Sequence, residues 1–126
     1  MEKKNLSESE WMILSELWEN EPQTIMQLVS SLREKTGWTK STVITFLKRM
    51  EEKGAVAYDR IDNAKHYYSV LRREEAAVPE TKSFLKRLYN GSLSMMMNSL
   101  IEQDALTEED ISELYGILKK AKQGGN

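Results

Sequence analysis

The sequence predicts a mainly α protein with a small β-wing: a winged helix-turn-helix followed by a C-terminal helical dimerisation region. Three observations carry that expectation. Three short segments ahead of Gly54 repeat apolar residues at helical spacing, the first two with a capping hydroxyl at the start. Two tyrosine- and valine-rich segments follow, on either side of Asp62-Asn63, and change the period to that of a hairpin. Past Arg72 the helical period returns. Residues 1–72 therefore read as a DNA-binding domain and residues 73–126 as a dimerisation region.

The first helix opens at Leu6-Ser7-Glu8-Ser9-Glu10-Trp11. Ser7 can cap it, Glu10 can reach back as the capping-box partner, and Leu6 can staple onto Trp11. Trp11, Leu14, Leu17 and Trp18 then form one inward stripe, and Asn20-Glu21-Pro22 ends the helix because a residue before proline disfavours helical geometry. Thr24 and Gln27 repeat the cap for a second helix, with Ile25, Leu28, Val29 and Leu32 inward and Gly37 as a left-handed stop. The third helix opens near Thr39, turns Val43, Phe46, Leu47 and Met50 inward, and closes at Gly54. Three short helices so close in sequence are expected to share one core.

Residues 55–60 and 65–70 read as the strands of the wing, joined by Ile61-Asp62-Asn63-Ala64. Strand alternation should turn at least one of Tyr58, Tyr67 and Tyr68 into the core. Beyond the wing, Arg73 to Leu88 reads as helix, kinked or restarted at Pro79. Gly91 separates it from a run carrying Leu93, Met96, Met97, Leu100 and Ile101. Leu106-Thr107-Glu108-Glu109-Asp110-Ile111 then repeats the staple and cap of the first helix, with Asp110 in the glutamate's place, ahead of Ile111, Leu114, Tyr115 and Leu118. These last helices have apolar faces and little chain left to cover them. Met95-Met96-Met97 is either a small satellite core or part of an intersubunit seam filled by flexible side chains. The dimer is preferred, because a helix-turn-helix gains affinity from two half-sites. Its expected contacts are Leu88, Tyr89, Leu93, Met96, Met97, Leu100, Ile101, Ile111, Leu114, Tyr115 and Leu118.

Composition removes most other classes. The chain has no cysteine and a single histidine, His66, so disulfides, thiolate metal sites and histidine pairs are excluded. No apolar run approaches the ~20 residues of a membrane span. The start of the chain lacks the apolar stretch of a signal peptide, so a cytoplasmic protein is expected. Paired carboxylates, a phosphate-binding glycine loop and a metal-ligand cluster are all missing, and neither an enzyme activity nor a cofactor is expected. The net charge of −2 looks unfavourable to nucleic acid, but its distribution does not. Residues 1–32 carry −4, residues 33–72 carry +4 and residues 73–126 carry −2, so the one positive block covers the second half of the helix-turn-helix and the wing.

With the stripe Val43/Phe46/Leu47/Met50 inward and about 100° per residue, Ser41, Thr45, Lys48 and Glu52 point outward, flanked by Thr42, Ile44 and Arg49. Lys40, Ser41, Thr42 and Thr45 lie toward the start of the helix, where hydroxyls and free amides suit phosphate or base edges. Lys48 and Arg49 can take phosphate or guanine, and Ile44, read as exposed, suits a thymine methyl. Arg60 and Lys65 flank the wing turn and can meet the backbone beside the groove. His66 reads as an ordinary strand histidine.

Taken in order, these residues resemble the penicillinase-repressor family (BlaI/MecI type). The resemblance rests on Leu6 to Trp11 with Leu17-Trp18, on Thr36-Gly37-Trp38-Thr39-Lys40-Ser41-Thr42-Val43, and on Arg49-Met50-Glu51-Glu52-Lys53-Gly54. Tyr67-Tyr68-Ser69, Leu88-Tyr89-Asn90-Gly91 and Leu106-Thr107-Glu108-Glu109 extend it over nearly the whole chain. It implies a homodimeric repressor on a palindromic double-stranded operator, controlling resistance genes such as a β-lactamase. It also implies relief by a sensor-linked protease that cuts the dimerisation region. The family's cut falls between an asparagine and a phenylalanine, and Ser99-Leu100 occupies that place here. Ile44 stands where relatives often carry a basic residue, and the cysteine-rich tail of the copper-sensing branch is missing. Two other readings stay open: a winged-helix module that binds protein, and a regulator gated by a small ligand between wing domain and tail.

Overall fold

A computed structural model describes residues 5–124. Its elements run α1 (Glu8–Glu19), α2 (Ile25–Thr36), α3 (Lys40–Glu52), β1 (Val56–Ile61), β2 (Ala64–Ser69), α4 (Arg73–Tyr89), α5 (Leu93–Glu102) and α6 (Glu108–Gly124). The protein is thus mainly helical, with a two-stranded antiparallel wing after the third helix. It divides into two compact units within α4, between Val78 and Pro79.

Local chemistry sets the ends of the first helices. Ser7 and Glu10 exchange side chain-to-backbone bonds at the start of α1, and Thr24 and Gln27 do the same for α2. Thr39 caps α3 by accepting the Thr42 amide. Gly37, at φ 68°, is the left-handed residue that stops α2, a conformation glycine adopts without Cβ strain. At the end of α3, Gly54 has φ 76°, its amide donates to Glu51 and the Ala55 amide donates to Met50. This pair of bonds is a Schellman closure. It takes Ala55 into the helix cap, and for that reason the strands begin and end one residue nearer the turn than the expected 55–60 and 65–70.

In the first unit the core joins Ile13, Leu14 and Leu17 of α1 to Leu28, Val29 and Leu32 of α2, and to Val43, Leu47 and Met50 of α3. Ala55, Val56 and Tyr67 close it from the wing. Full burial of such aliphatic side chains stabilises by about 1.5–3 kcal/mol each. Trp11, Trp18, Ile25 and Phe46, expected fully inward, are half-buried at its margin. In the wing Val56 faces Ser69 and Ile61 faces Ala64. Asp62 and Asn63 both have positive φ, 52° and 63°, so the connection is a two-residue turn of the primed kind that matches strand twist. Gln23, in the loop between α1 and α2, forms an isolated bridge with Tyr67 and thereby ties the outer edge of β2 to the helices. Nothing in the residue pattern announced that pairing.

The second unit is built differently. Thr107 and Asp110 exchange capping bonds ahead of α6, as expected, and Ser92 caps α5. Pro79 lies inside α4 and does not start it: the Arg72 amide donating to Glu75 at 3.0 Å sets the start at Arg73, nearly two turns earlier. Among the described residues of this unit Leu85 is the one apolar side chain that is buried. Leu88, Leu93, Met95, Ile101, Ile111, Tyr115, Ile117 and Leu118 are all exposed. Tyr89, Met96, Met97, Leu100 and Leu114 are half-buried.

Candidate nucleic-acid interface

The site grows from the turn between α2 and α3. The Thr36 hydroxyl donates to the Leu32 carbonyl and accepts the Trp38 amide, which braces the turn around Gly37. Trp38 then meets Phe46 at 5.0 Å between ring centroids. Phe46 therefore sits at the rim of the core and presents ring surface to Arg49, whose guanidinium lies 5.9 Å from the Phe46 centroid. The helical period placed Phe46 inward correctly in angle, but the aromatic neighbour at the turn holds it at the margin.

On the outward face of α3, Lys40, Ser41, Thr45, Lys48 and Arg49 are exposed, while Thr42 and Ile44 are half-buried. Ile44 is thus less exposed than expected. The hydroxyls are already directional. Thr39 donates to Thr42, which leaves the Thr42 proton free to be given outward, and Thr45 donates back to the Ser41 carbonyl at 3.0 Å. Thr45 can then serve an incoming base or phosphate chiefly as an acceptor.

The wing supplies a second set of cations. Arg60 and Lys65 are cross-strand partners and both lie over Tyr58, at 6.0 and 4.5 Å from its centroid. Tyr58 in turn contacts the buried Tyr67 at 5.3 Å. Burial pushes the Tyr67 hydroxyl well above the ordinary tyrosine range, and the neighbouring Glu51 carboxylate adds to this. Tyr67 is a neutral wedge that braces the platform. His66 is a half-buried strand residue opposite Asp59.

One cation of the positive block is committed elsewhere. Lys53 donates to Glu10 Oε1 at 2.6 Å, and Glu10 is almost wholly buried. Burial pushes the Glu10 carboxyl up, but the bonds from Lys53 and Ser7 and the Lys53 charge outweigh it, so its pKa lies below the ordinary value. Lys53 also donates to the Asn5 carbonyl at 2.6 Å. It therefore locks α1 to the end of α3 and is not available to a ligand.

No group of acids and histidines suited to a metal occurs among the described residues. No described helix is long and apolar enough to cross a membrane. Ser99 and Leu100 lie inside α5 and are half-buried.

A helix braced by its turn, with outward hydroxyls and cations, beside a hairpin with basic residues at its tip, defines a winged helix-turn-helix of the DNA-binding kind. The chain belongs to the penicillinase repressor family, whose model matches residues 6–120. That family consists of DNA-binding transcriptional repressors, not enzymes. The chain is 28% identical over 117 residues to the penicillinase repressor of Bacillus licheniformis, covering 93% of this chain and 91% of that one. It is 22% identical over 115 residues to the methicillin resistance regulatory protein MecI of Staphylococcus aureus, covering 91% and 94%. Among solved structures, the DNA-binding domain of the repressor BlaI matches with a TM-score of 0.53 at 20% identity, over 60% of this chain and 93% of that domain. MarR from E. coli matches with a TM-score of 0.52 at 17% identity, over 93% and 78%.

Proposed function

We propose that the protein represses transcription as a homodimer on an inverted-repeat operator. In this reading α3 of each copy enters a major groove, and the tip of each wing meets the flanking backbone. The observation that carries the reading is the placement of the positive block. Lys40, Lys48 and Arg49 lie on the exposed face of α3, and Arg60 and Lys65 gather over Tyr58 on the wing. Ser41, Thr42, Ile44 and Thr45 would read base edges between those phosphate contacts. The exposed apolar side chains of the second unit, from Leu88 to Leu118, are the surface that a second copy would cover. The names of these relatives support resistance genes, those for β-lactams foremost, as the regulated set. A cytoplasmic location follows from that role. Relief by a sensor-linked protease cutting at Ser99-Leu100 belongs to the same proposal. Because that bond lies within α5, cutting requires the helix to open first.

The test is binding of the purified chain to its own upstream intergenic DNA at two salt concentrations, with unrelated DNA alongside. Tight, sequence-selective binding that weakens steeply with salt supports the reading. Equal weak binding to both DNAs overturns it and favours a protein partner.

A further inference from the structure

The three residues that lead from β2 into α4 are anchored at every step. Val70 and Leu71 donate to the Ala55 carbonyl at 2.9 and 3.4 Å. The Ser69 amide donates to Glu21 at 2.7 Å. The indole N–H of Trp18 donates to the Leu71 carbonyl at 2.8 Å and to the Ser69 hydroxyl oxygen at 3.0 Å, while that hydroxyl itself donates to the Leu71 carbonyl. Arg73, the first residue of α4, lies 5.5 Å from the Trp18 ring and pairs with Glu19 at 2.9 Å. Chain segments that leave a domain are ordinarily polar and loosely held. Here one side chain on α1 holds the last residue of the wing, the connecting backbone and the start of the next helix.

We propose that Trp18 is a positioning residue for operator recognition: it holds the start of α4 against α1 and the end of the wing, and so sets the half-site spacing that the protein accepts. The inference rests on the reading of a dimer on an inverted repeat. The hydrogen bonds of Trp18 go to the end of β2 and the segment before α4, so it acts without a place on the outward face of α3. Each base pair added between half-sites rotates one against the other by about 34° and shifts it by about 3.4 Å. A held exit can follow that change only by bending DNA or by breaking its anchor. One freed of Trp18 keeps only the backbone bonds to Ala55 and Glu21 and the exposed Arg73–Glu19 pair, and follows it at lower cost.

The experiment begins by selecting duplexes from random DNA with the wild-type chain. Binding is then measured to the selected repeat, to spacers shortened or lengthened by one and two base pairs, and to a single half-site. Trp18→Phe keeps a ring for Arg73 and removes the N–H; Ser69→Ala removes the second member of the anchor and decides the matter if Trp18→Phe does not fold. Wild type should lose about tenfold per base pair of spacer change, the scale of one wrong base pair. Each folded variant should stay within about threefold across the series, again on that scale, with half-site affinity unchanged. Variants that fold like wild type and keep its spacing profile overturn the proposal. So does a wild type that selects a repeat but tolerates every spacing equally, with the dimer reading left standing. Selection of no repeat at all removes the dimer reading itself.

Discussion

The guanidinium of Arg49 lies over the ring of Phe46, and Phe46 is itself held by Trp38 at the helix-turn-helix bend. The charge that faces outward from α3 is therefore placed by a side chain that never needs to touch a ligand. Phe46→Leu keeps the bulk and removes the ring face. An exposed cation–π contact contributes about 0.5–1 kcal/mol, so DNA affinity should fall about two- to fivefold. Arg49→Ala should cost more and lower the slope of log affinity against log salt by about one. Fluorescence anisotropy over a salt series reads both, and a Phe46→Leu variant indistinguishable from wild type would show that the ring does not hold Arg49.

The wing should behave differently, because Arg60 and Lys65 share one platform and face the backbone of the duplex in the proposed complex. Phosphate contacts position a protein without reading sequence. Replacing both by alanine should reduce the salt slope by about two and leave the ranking of operator variants unchanged. A changed ranking in the same assay would mean that the wing reads bases.

The Glu10–Lys53 pair predicts a pH dependence. The Glu10 pKa is lowered on folding, so the native state binds fewer protons there than the unfolded chain. Its stabilisation is complete above the ordinary glutamate value of about 4.3 and fades as pH falls through the lowered native value. Lys53→Met leaves the buried carboxylate without its partner and should cost about 1–3 kcal/mol at neutral pH. With burial then unopposed by Lys53, that carboxylate becomes easier to protonate, so the gap to wild type should narrow toward pH 4. Thermal unfolding at the two pH values checks the sign; a gap that widens in acid would contradict it.

Leu118 and Tyr115 are 63% and 72% exposed on α6, where a charge costs an isolated unit little. At the centre of an interface the same charge costs at least about 2 kcal/mol, roughly thirtyfold in dimer affinity. Leu118→Glu should therefore sediment as a monomer where wild type is a dimer, and bind the operator no better than a half-site. A dimeric Leu118→Glu would place the interface on another face.

What was legible in the residues was local. Ser7 with Glu10, Thr24 with Gln27, and Thr107 with Asp110 are each three apart, and each capping exchange forms as its spacing requires. Gly37 and the Asp62-Asn63 turn were legible for the same reason. The outward face of α3 followed from its period, apart from the half-burial of Thr42 and Ile44, and the inward Phe46 is held at the margin, because burial depends on neighbours that a single helix does not specify. Three relationships escaped: Lys53 with Glu10, Trp18 with Leu71, and Gln23 with Tyr67. All join residues far apart in the chain, and none follows a periodic pattern. The helix from Arg73 was legible too, but Pro79 left a kink and a restart both open, because proline is a general helix breaker. Here the start of α4 is set by Arg72 and Glu75, and the proline is carried within it.

Gln23 and Tyr67 exchange both backbone bonds although α2, α3 and β1 lie between them in the chain. A hairpin with a two-residue turn forms by itself on a scale of about 1–10 μs. Its attachment to Gln23 must wait until the intervening helices have met and the entropy of that long loop has been offset. On that argument the wing should dock late as the chain folds, and loss of the bridge at Gln23 should speed unfolding more than it slows folding.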